Sequence, residues 1–330
     1  MPRSRERWIE QVRETLERAG FYVSDTHGVR PSSFDLAARR DATLLLVKVL
    51  KNIDALDGEE ATRLLELGRL FPAIVLVVGQ ASGTSELDAG VVYTRYGVPI
   101  ISQSTLQEYL DKALPPFLYA SPGGTFARVD GERLRWLRLH RGLSLGALAG
   151  IAGVSRRAIQ LYEEGAGAEI EVIDRIEGFL GEPIVRPIEL FEPKRPSARL
   201  AGGASDPEAT GVAPAPRRPP RTGDALRDHV IEQLDGMGLE VVVTVRAPFD
   251  ALARTPEILL ASTGSLRAAL HRAEVLQSLA RVAEGHAMFI VREAVHRASI
   301  QGLPILSVNE LKRHRDPDDF LDEIAAREGR

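Results

Sequence analysis

The chain has no cysteine, few aromatic residues and no apolar run long enough to cross a bilayer. Of its 330 residues, 5% are aromatic. The lack of cysteine excludes disulfides, thiolate metal sites and a cysteine nucleophile, and is typical of proteins in a reducing cytoplasm. The longest apolar runs, Thr43–Leu50 and Ala73–Val78, fall well short of the ~20 residues that a membrane-spanning helix needs. The amino terminus has no apolar signal region. We therefore expect a cytoplasmic protein with no membrane partner.

Signatures of metal and cofactor binding are also missing. The seven histidines show no zinc-ligand spacing. The segment Gly79-Gln-Ala-Ser-Gly-Thr lacks the lysine of a phosphate-binding loop. We therefore expect neither a metal nor a cofactor. The formal net charge of −4 does not indicate nucleic acid, so any such contact must come from a local basic surface.

The length and two breaks in composition predict several domains. A chain of 330 residues is expected to form two or three domains of roughly 100–150 residues. Residues 193–224 are rich in Pro, Gly, Ala and Arg and poor in large apolar residues, which predicts a flexible linker. Pro and Gly also concentrate near Leu114–Asp130. The predicted organisation is a first wing at 1–118, a centre at 125–192 and a second wing at 225–330.

The two wings repeat one order of sequence features. Each begins with an amphipathic helix and a glycine turn into a strand, followed by the motif Phe-Asp-x-x-Ala-Arg at Phe34–Arg39 and at Phe249–Arg254. An apolar strand, a helix and a buried strand follow. Each wing ends with a Gly-x-Pro-Ile turn and strand, at Gly97 and Gly302, before a last helix. This order indicates an internal duplication of a mixed α/β domain; chance similarity between two α/β layouts is the alternative.

The centre has the pattern of three short helices. Apolar residues recur at helical spacing from Gly131 onward. Gly142 is typical of a helix end, and Ser144 is a cap for the next helix. That second helix is predicted to stop at Gly153, and Ser155 to cap a third helix over Ser155–Glu164. The spacing predicts a helix-turn-helix at about residues 131–181.

The charges of this region are strongly segregated. Between Arg133 and Arg157 there are six arginines and no acidic residue, whereas acidic residues crowd the segment from Glu163 to Glu182. A domain docked on phosphates needs this polarity, positive towards the nucleic acid and negative away from it. The alternative is that these arginines are solvated surface charge on a protein-interaction domain.

The same residues resemble the Cro/phage-repressor (XRE) family of helix-turn-helix proteins. The matching residues are Leu134-Arg135, Arg138, Arg141-Gly-Leu-Ser144, Leu148-Ala149, Ala152-Gly-Val-Ser155, Ile159 and Tyr162-Glu163, with Ile173, Ile176, Phe179, Leu180 and Gly181 as the closing helix. The family usually has a polar residue after the serine that opens its second helix, where this chain has Leu145.

The third helix supplies the candidate base contacts. If it lies in the major groove, Arg156, Arg157 and Gln160 near its amino end can reach base edges. Arginine can bind guanine O6/N7 and glutamine can pair with adenine N6/N7. Three further residues are expected to contact backbone phosphates, which position the protein without specifying sequence: Arg141, Ser144 and Ser155.

The first wing resembles the PD-(D/E)xK restriction-endonuclease-like superfamily, which includes archaeal Holliday-junction resolvases. The resemblance rests on Phe34-Asp35 followed by Leu45-Leu46-Val47-Lys48. It implies a metal held by the aspartate and by an acid two residues before the lysine, with the lysine positioning the attacking water. Here Leu46 stands at the acidic position, so only one carboxylate remains. Two carboxylates are needed to hold Mg²⁺ beside a phosphate.

The second wing departs further from that pattern. Equal spacing from Asp250 places Thr263 at the lysine position and Ala261 at the acidic position. We therefore expect no catalytic residue in either wing and interpret Asp35, Lys48 and Asp250 as remnants of a nuclease-like centre. The alternative for the two aspartates is a purely structural role beside a buried sheet.

Together these observations predict a mixed α and α/β fold, with a central all-α helix-turn-helix domain flanked by two related, degenerate nuclease-like α/β domains. As a whole the chain resembles archaeal HTH-type transcriptional regulators, through Phe34-Asp35, Leu46–Leu50, Asn52–Asp54 and the centre. The expected function is a non-enzymatic, sequence-specific regulator that binds double-stranded DNA as a homodimer. The wings are expected either to join the two chains or to sense a ligand. The effector, if one exists, is unknown. A metal-dependent nuclease or resolvase-like enzyme and a non-catalytic interaction scaffold are the alternatives.

Overall fold

A computed structural model describes residues 4–24, 33–191, 222–244, 247–254 and 257–328. The predicted linker at 193–224 lies outside the described residues except for its last three positions. Within the described ranges, no helix is both long enough and apolar enough to cross a membrane.

The described residues form eleven α-helices. In chain order they are α1 (Ser4–Arg18), α2 (Gly58–Leu70), α3 (Gln103–Lys112), α4 (Gly131–His140), α5 (Leu145–Ala152), α6 (Arg156–Glu163), α7 (Ile170–Leu180), α8 (Ala225–Gly236), α9 (Leu266–Ala283), α10 (Val308–Leu311) and α11 (Pro317–Arg327).

The described residues also form seventeen β-strands. They are β1 (Tyr22–Val23), β2 (Leu36–Arg40), β3 (Thr43–Asn52), β4 (Ile74–Ser82), β5 (Ser85–Glu86), β6 (Val91–Arg95), β7 (Val98–Ser102), β8 (Leu118–Ser121), β9 (Gly124–Val129), β10 (Gly167–Glu169), β11 (Val185–Arg186), β12 (Glu240–Val243), β13 (Ala251–Arg254), β14 (Ile258–Gly264), β15 (His286–Val291), β16 (Ser299–Ile300) and β17 (Leu303–Ser307).

The chain divides into two compact units. The first unit comprises Met1–Val49, Thr62–Val75 and Val212–Arg330. It contains the β1-β2-β3 ribbon and the six-stranded sheet β12-β13-β14-β15-β17-β16. One side of that sheet is closed by α8 and α11, which bury Leu234 and Phe320 in its core.

The second unit comprises Leu50–Ala61 and Leu76–Gly211. Its strands follow the order β4-β7-β6-β8-β9-β10, with β5 on β4 and β11 on β9. The helices α4 to α7 pack around one core that includes Leu134, Leu148 and Ile176.

The two wings share their strand order. In the first wing, β2 pairs antiparallel with β1 and β3, and in the second β13 pairs antiparallel with β12 and β14. Further along, β4 pairs parallel with β7, and β7 antiparallel with β6. The second wing repeats this, since β15 pairs parallel with β17, and β17 antiparallel with β16. The repeated sequence features therefore correspond to repeated strand pairings.

The prediction of an all-α centre is wrong in one respect. Residues 125–192 also contribute β9, β10 and β11, and β10 and β11 both pair antiparallel with β9. Strand β10 has only three residues and lies between two helices, so it offers no alternating pattern to recognise. The Pro and Gly residues near 114–130 lie around a strand hairpin, β8 to β9.

Candidate nucleic-acid interface

Serine caps define the two helices that form the helix-turn-helix. The Ser144 hydroxyl accepts the Ala147 N–H at 3.0 Å, and the Ser155 hydroxyl accepts the Ala158 N–H at 3.0 Å. Between the helices, Gly153 ends α5 with a φ of 70°, a left-handed conformation that glycine adopts at little cost. The two serines predicted to contact phosphates are thus the N-caps of α5 and α6.

The core of this region fixes how α5 and α6 cross. Ala149 and Ile159 are buried, and Val154 packs against them partly buried. The small alanine side chain lets the two helices approach closely. Leu145, which stands where the XRE family usually has a polar residue, packs half-buried against the same core. The position therefore contributes to packing in this chain.

The predicted base-contacting side chains line the exposed start of α6. Arg156 and Arg157 form its first turn, and both are exposed. Within the described part of the chain, neither guanidinium has a hydrogen-bond or ion-pair partner. Gln160 lies one turn further along, also exposed, and its amide donates at 3.2 Å to Glu164, the residue directly after α6. This surface presents two cationic groups whose partner is not supplied by the domain itself.

Arg141 is placed differently from the other candidates. Its guanidinium donates to the carbonyl oxygens of Phe179, at 3.0 Å, and of Leu180. These are among the last carbonyls of α7, which have no partner within the helix. A cation there also complements the negative end of the helix dipole. Arg141 thus ties the end of α4 to the end of α7.

A buried ion pair sets the orientation of α6. Arg138 of α4 donates to both carboxylate oxygens of Glu163 at 2.5 and 2.9 Å, and only 9% of each side chain is exposed. The hydrogen bond and charge of Glu163 raise the pKa of the Arg138 guanidinium. Arg138 also donates to the Leu143 carbonyl at 3.0 Å. At Gly131 the start of α4 approaches the end of α6 closely, because a Cβ there would lie 2.4 Å from the Glu163 carbonyl oxygen.

This positioning pair was not assigned from the sequence. Arg138 and Glu163 both belong to the pattern that resembles the XRE family, but 25 residues separate them, and spacing alone does not pair charges so far apart. The available signal was that Arg138 follows Leu134 and Leu137 on the apolar side of α4, where a charge needs a buried partner.

The aspartate of the first wing is bound by an arginine. Both Asp35 oxygens lie 2.8 Å from Nη2 of Arg5, on the first turn of α1. One of them also accepts the Val49 N–H at 2.8 Å. Lys48 is buried and its amine donates to the Ser33 carbonyl at 3.4 Å.

The second wing repeats this arrangement. Asp250 accepts from Arg227, near the start of α8, at 2.5 Å, and from the Thr263 N–H at 2.7 Å. The Thr263 hydroxyl donates to it at 2.9 Å, and Arg272 lies 3.7 Å away. In both wings an arginine of the first helix therefore neutralises the buried aspartate.

These centres do not fit the metal that the nuclease superfamily implies. Each keeps one carboxylate, and a guanidinium lies against it where a cation would have to bind. Leu46, at the second acidic position, is an apolar buried residue. Among the described residues, no group of three or more His, Asp or Glu side chains could hold a metal ion. The sequence reasoning found the aspartates but missed Arg5 and Arg227, although both lie early in the amphipathic helix that opens each wing.

The strand register corrects the equivalence drawn from equal spacing. The Asp35 N–H donates to Val47, and the Asp250 N–H donates to Ala261. Val47 is therefore equivalent to Ala261, and Lys48 to Ser262. The assignment of Thr263 to the lysine position was one residue out, because Ala261 lies 11 positions after Asp250 whereas Val47 lies 12 positions after Asp35.

The fold and these sites define a helix-turn-helix protein that carries a PD-(D/E)XK-type α/β domain, in which an arginine binds the retained aspartate and Leu46 stands at the second acidic position. Family models agree, because residues 134–186 match a helix-turn-helix family and residues 5–116 match the PD-(D/E)XK superfamily domain.

Relatives extend this similarity to the whole chain. Proteins described as proposed HTH-type transcriptional regulatory proteins match from three archaea. The relative from Halorubrum lacusprofundi is 36% identical and that from Halobacterium salinarum is 37% identical, and each match covers 98% of both chains. The relative from Methanocella arvoryzae is 35% identical over 98% of this chain and 97% of its own. The chain belongs to this family of archaeal HTH-type regulatory proteins. No solved structure matches the chain.

Proposed function

We propose that this protein is a transcriptional regulator that binds double-stranded DNA sequence-specifically, with α6 as its recognition helix. The observation that carries the proposal is the pair Arg156 and Arg157, which are exposed on the first turn of a helix and have no partner among the residues that the structure describes. The buried pair between Arg138 and Glu163 holds that helix in place. Side chains at this end of a recognition helix contact base edges in the major groove.

The capping serines support docking on the DNA backbone. Each hydroxyl uses its oxygen to accept the cap hydrogen bond, so its O–H can still donate to a phosphate. Arg141 uses two of the five N–H donors of a guanidinium on α7 carbonyls. The remaining donors can serve a phosphate. We therefore retain Ser144, Ser155 and Arg141 as phosphate contacts.

We further propose that the helix-turn-helix lies between two related wings and that the regulator reads two half-sites as a dimer. The matching strand orders of the two wings support the duplication. A single reading helix buries little area, so recognition of two half-sites ~34 Å apart is the usual route to tight binding. The chemistry of any effector is left open.

We propose that the wings do not catalyse DNA cleavage. The support is the single carboxylate in each centre and the arginine bound to it. The rival function, a metal-dependent nuclease, is favoured by the match to the PD-(D/E)XK superfamily. Mg²⁺-dependent nicking of duplex or junction DNA that is lost in Asp35→Ala would establish that rival and overturn this proposal.

Selection of bound sequences from a random duplex pool tests the regulator. Wild type is compared with Arg156→Ala/Arg157→Ala/Gln160→Ala and with a charge-matched control, Arg267→Ala/Arg281→Ala. The control arginines are exposed on α9, so both variants lose two positive charges. A motif of two half-sites is expected with wild type and the control, and each lost base contact should weaken discrimination by ~1–3 kcal/mol. No enrichment by wild type at moderate salt would contradict the proposal.

A further inference from the structure

A contact within the first compact unit joins the two wings of one chain. Arg39 of β2 donates through Nε to the Val282 carbonyl at 2.5 Å and through Nη2 to the Ala283 carbonyl at 3.2 Å. Its Nη1 lies 3.0 Å from the Glu284 carboxylate. Three groups at the end of α9 thus converge on one guanidinium of the other wing.

The chemistry of this contact is that of a helix cap. The last carbonyls of a helix lack partners within it and carry the negative end of its dipole. Glu284 ends α9 in a left-handed conformation, with a φ of 54°, and adds a full negative charge. Arg39 satisfies both the carbonyls and the carboxylate, although 243 residues separate it from the first of them.

A second contact between the wings is the counterpart of the first. Phe71, directly after α2, packs on Phe249, directly before Asp250, with ring centroids 5.8 Å apart. Phe71 lies three residues before β4, as Ala283 lies three residues before β15. Thus the end of α9 contacts the Phe-Asp-x-x-Ala-Arg segment of the first wing, and the end of α2 contacts the same segment of the second wing.

The two contacts use opposite ends of the motif, Arg39 at its last position and Phe249 at its first. Their reciprocity is therefore that of the elements, and it approximates a two-fold interface, in which each partner offers the same patch to the other. Here the two partners belong to one polypeptide. We propose that the two wings pair with each other in cis through this surface, as an internal counterpart of a homodimer, and that a second copy of the chain is not its partner. The wings, for which the sequence suggested pairing between two chains, then pair through this surface within each chain. Any contact between chains lies elsewhere.

The absence of cysteine from the sequence allows a direct test on the full chain. Arg39→Cys/Glu284→Cys should be cross-linked by a short bismaleimide reagent, which can span the length of the two replaced side chains. The product should stay at monomer mass on a denaturing gel and form at a rate independent of protein concentration. The matched control is Arg40→Cys/Glu284→Cys. Arg40 follows Arg39 but lies over the Phe21 ring and donates to the Ala19 carbonyl, so this pair should not close within a chain.

Mixing the two single variants, Arg39→Cys and Glu284→Cys, tests the alternative partner. A covalent dimer that forms rapidly from this mixture would show pairing between chains and overturn the proposal. Failure of the double variant to cross-link while it remains folded would overturn it as well.

Arg39→Lys keeps the positive charge and provides a second probe if the cysteine variant does not fold. Carbodiimide coupling should then join Lys at position 39 to Glu284 within one chain, as detected by peptide mass spectrometry. Recovery of that link only between isotopically different chains would again contradict pairing in cis.

Discussion

Arginine has opposite roles in the helix-turn-helix and in the two wing centres. In the wings, Arg5 and Arg227 lie against buried aspartates, so their charge is neutralised inside the fold. On α6, Arg156 and Arg157 are exposed and have no partner among the described residues. A guanidinium that is already paired with a carboxylate inside the fold is not available to bind an external anion, whereas an unpaired one can bind phosphate or base edges.

The helix-turn-helix contains both kinds of arginine within a short segment. Arg138 is buried on Glu163, and Arg141 lies on the α7 carbonyls. These two hold the helices in their orientation, and the pair on α6 is left for a ligand. The difference teaches that arginine content alone does not mark a nucleic-acid surface, because the partner of each guanidinium decides its role.

Breaking the buried pair in the helix-turn-helix should have the largest effect. Arg138→Ala leaves Glu163 buried without its counter-charge, which is expected to cost ~3–5 kcal/mol of the free energy of unfolding. Replacing both partners, as in Arg138→Met/Glu163→Leu, should restore much of this loss. Urea unfolding followed by Trp136 fluorescence in a Trp8→Phe background measures the second compact unit.

The control for this prediction is Arg135→Ala, on the exposed side of the same helix. It should change the free energy of unfolding by no more than ~0.5 kcal/mol. If Arg138→Ala changes it as little as the control does, the pair does not hold α6 in place.

Removing the arginine of a wing centre should have a smaller effect. In Arg227→Ala, Asp250 keeps the Thr263 N–H and hydroxyl and the nearby Arg272, so a loss of about 2 kcal/mol is expected. Trp8 fluorescence in a Trp136→Phe background follows the first compact unit. Mg²⁺ should not restore stability, because the described residues include no group of three or more His, Asp or Glu side chains that could hold a metal ion. A rise in melting temperature with Mg²⁺ in Arg227→Ala that is absent in Arg227→Ala/Asp250→Asn would show a latent metal site. The wing arginine would then block a cation site, and its role would not be purely structural.

The local fold of the helix-turn-helix could be predicted because its sequence signals are short-range. Ser144, Gly153 and Ser155 act within one helical turn, and the structure confirms the helix starts and the turn that they predicted. The strands of the wings were likewise recognisable, since Thr43–Leu50 and Ile258–Thr263 are mostly apolar segments bounded by turns.

What the sequence could not provide are the partners of charged groups far apart in the chain. Asp35 was recognised, but its partner Arg5 lies 30 residues away in the sequence. The groups that bind Arg39 lie in the other wing. The register of the second centre was also missed, because a hairpin shorter by one residue moves every later position by one. The assigned DNA contacts remain predictions that the selection experiment tests.

The smallest expected effect comes from a cation whose charge depends on pH. His286 lies between two carboxylates, with Nε2 at 2.7 Å from Glu257 and Nδ1 at 3.0 Å from Glu328. Burial lowers the pKa of His286, but the hydrogen bonds and charges of Glu328 and Glu257 more than offset this, so its pKa is raised above the ordinary value of 6.5. Both ring nitrogens can donate only in the protonated form.

A raised pKa in the folded state fixes the sign of the pH effect. The stabilisation is fully present below ~6.5, where folded and unfolded chains are both protonated, and is lost as pH rises through the folded pKa. The gain is modest because 55% and 38% of the two glutamate side chains are exposed, and water screens their charge. The Trp8 readout should show unfolding free energy falling with pH above ~6.5, with a flatter slope in His286→Gln. Equal slopes in the two proteins would show that this histidine, unlike Arg5 and Arg227, is not a charge partner of its neighbouring carboxylates.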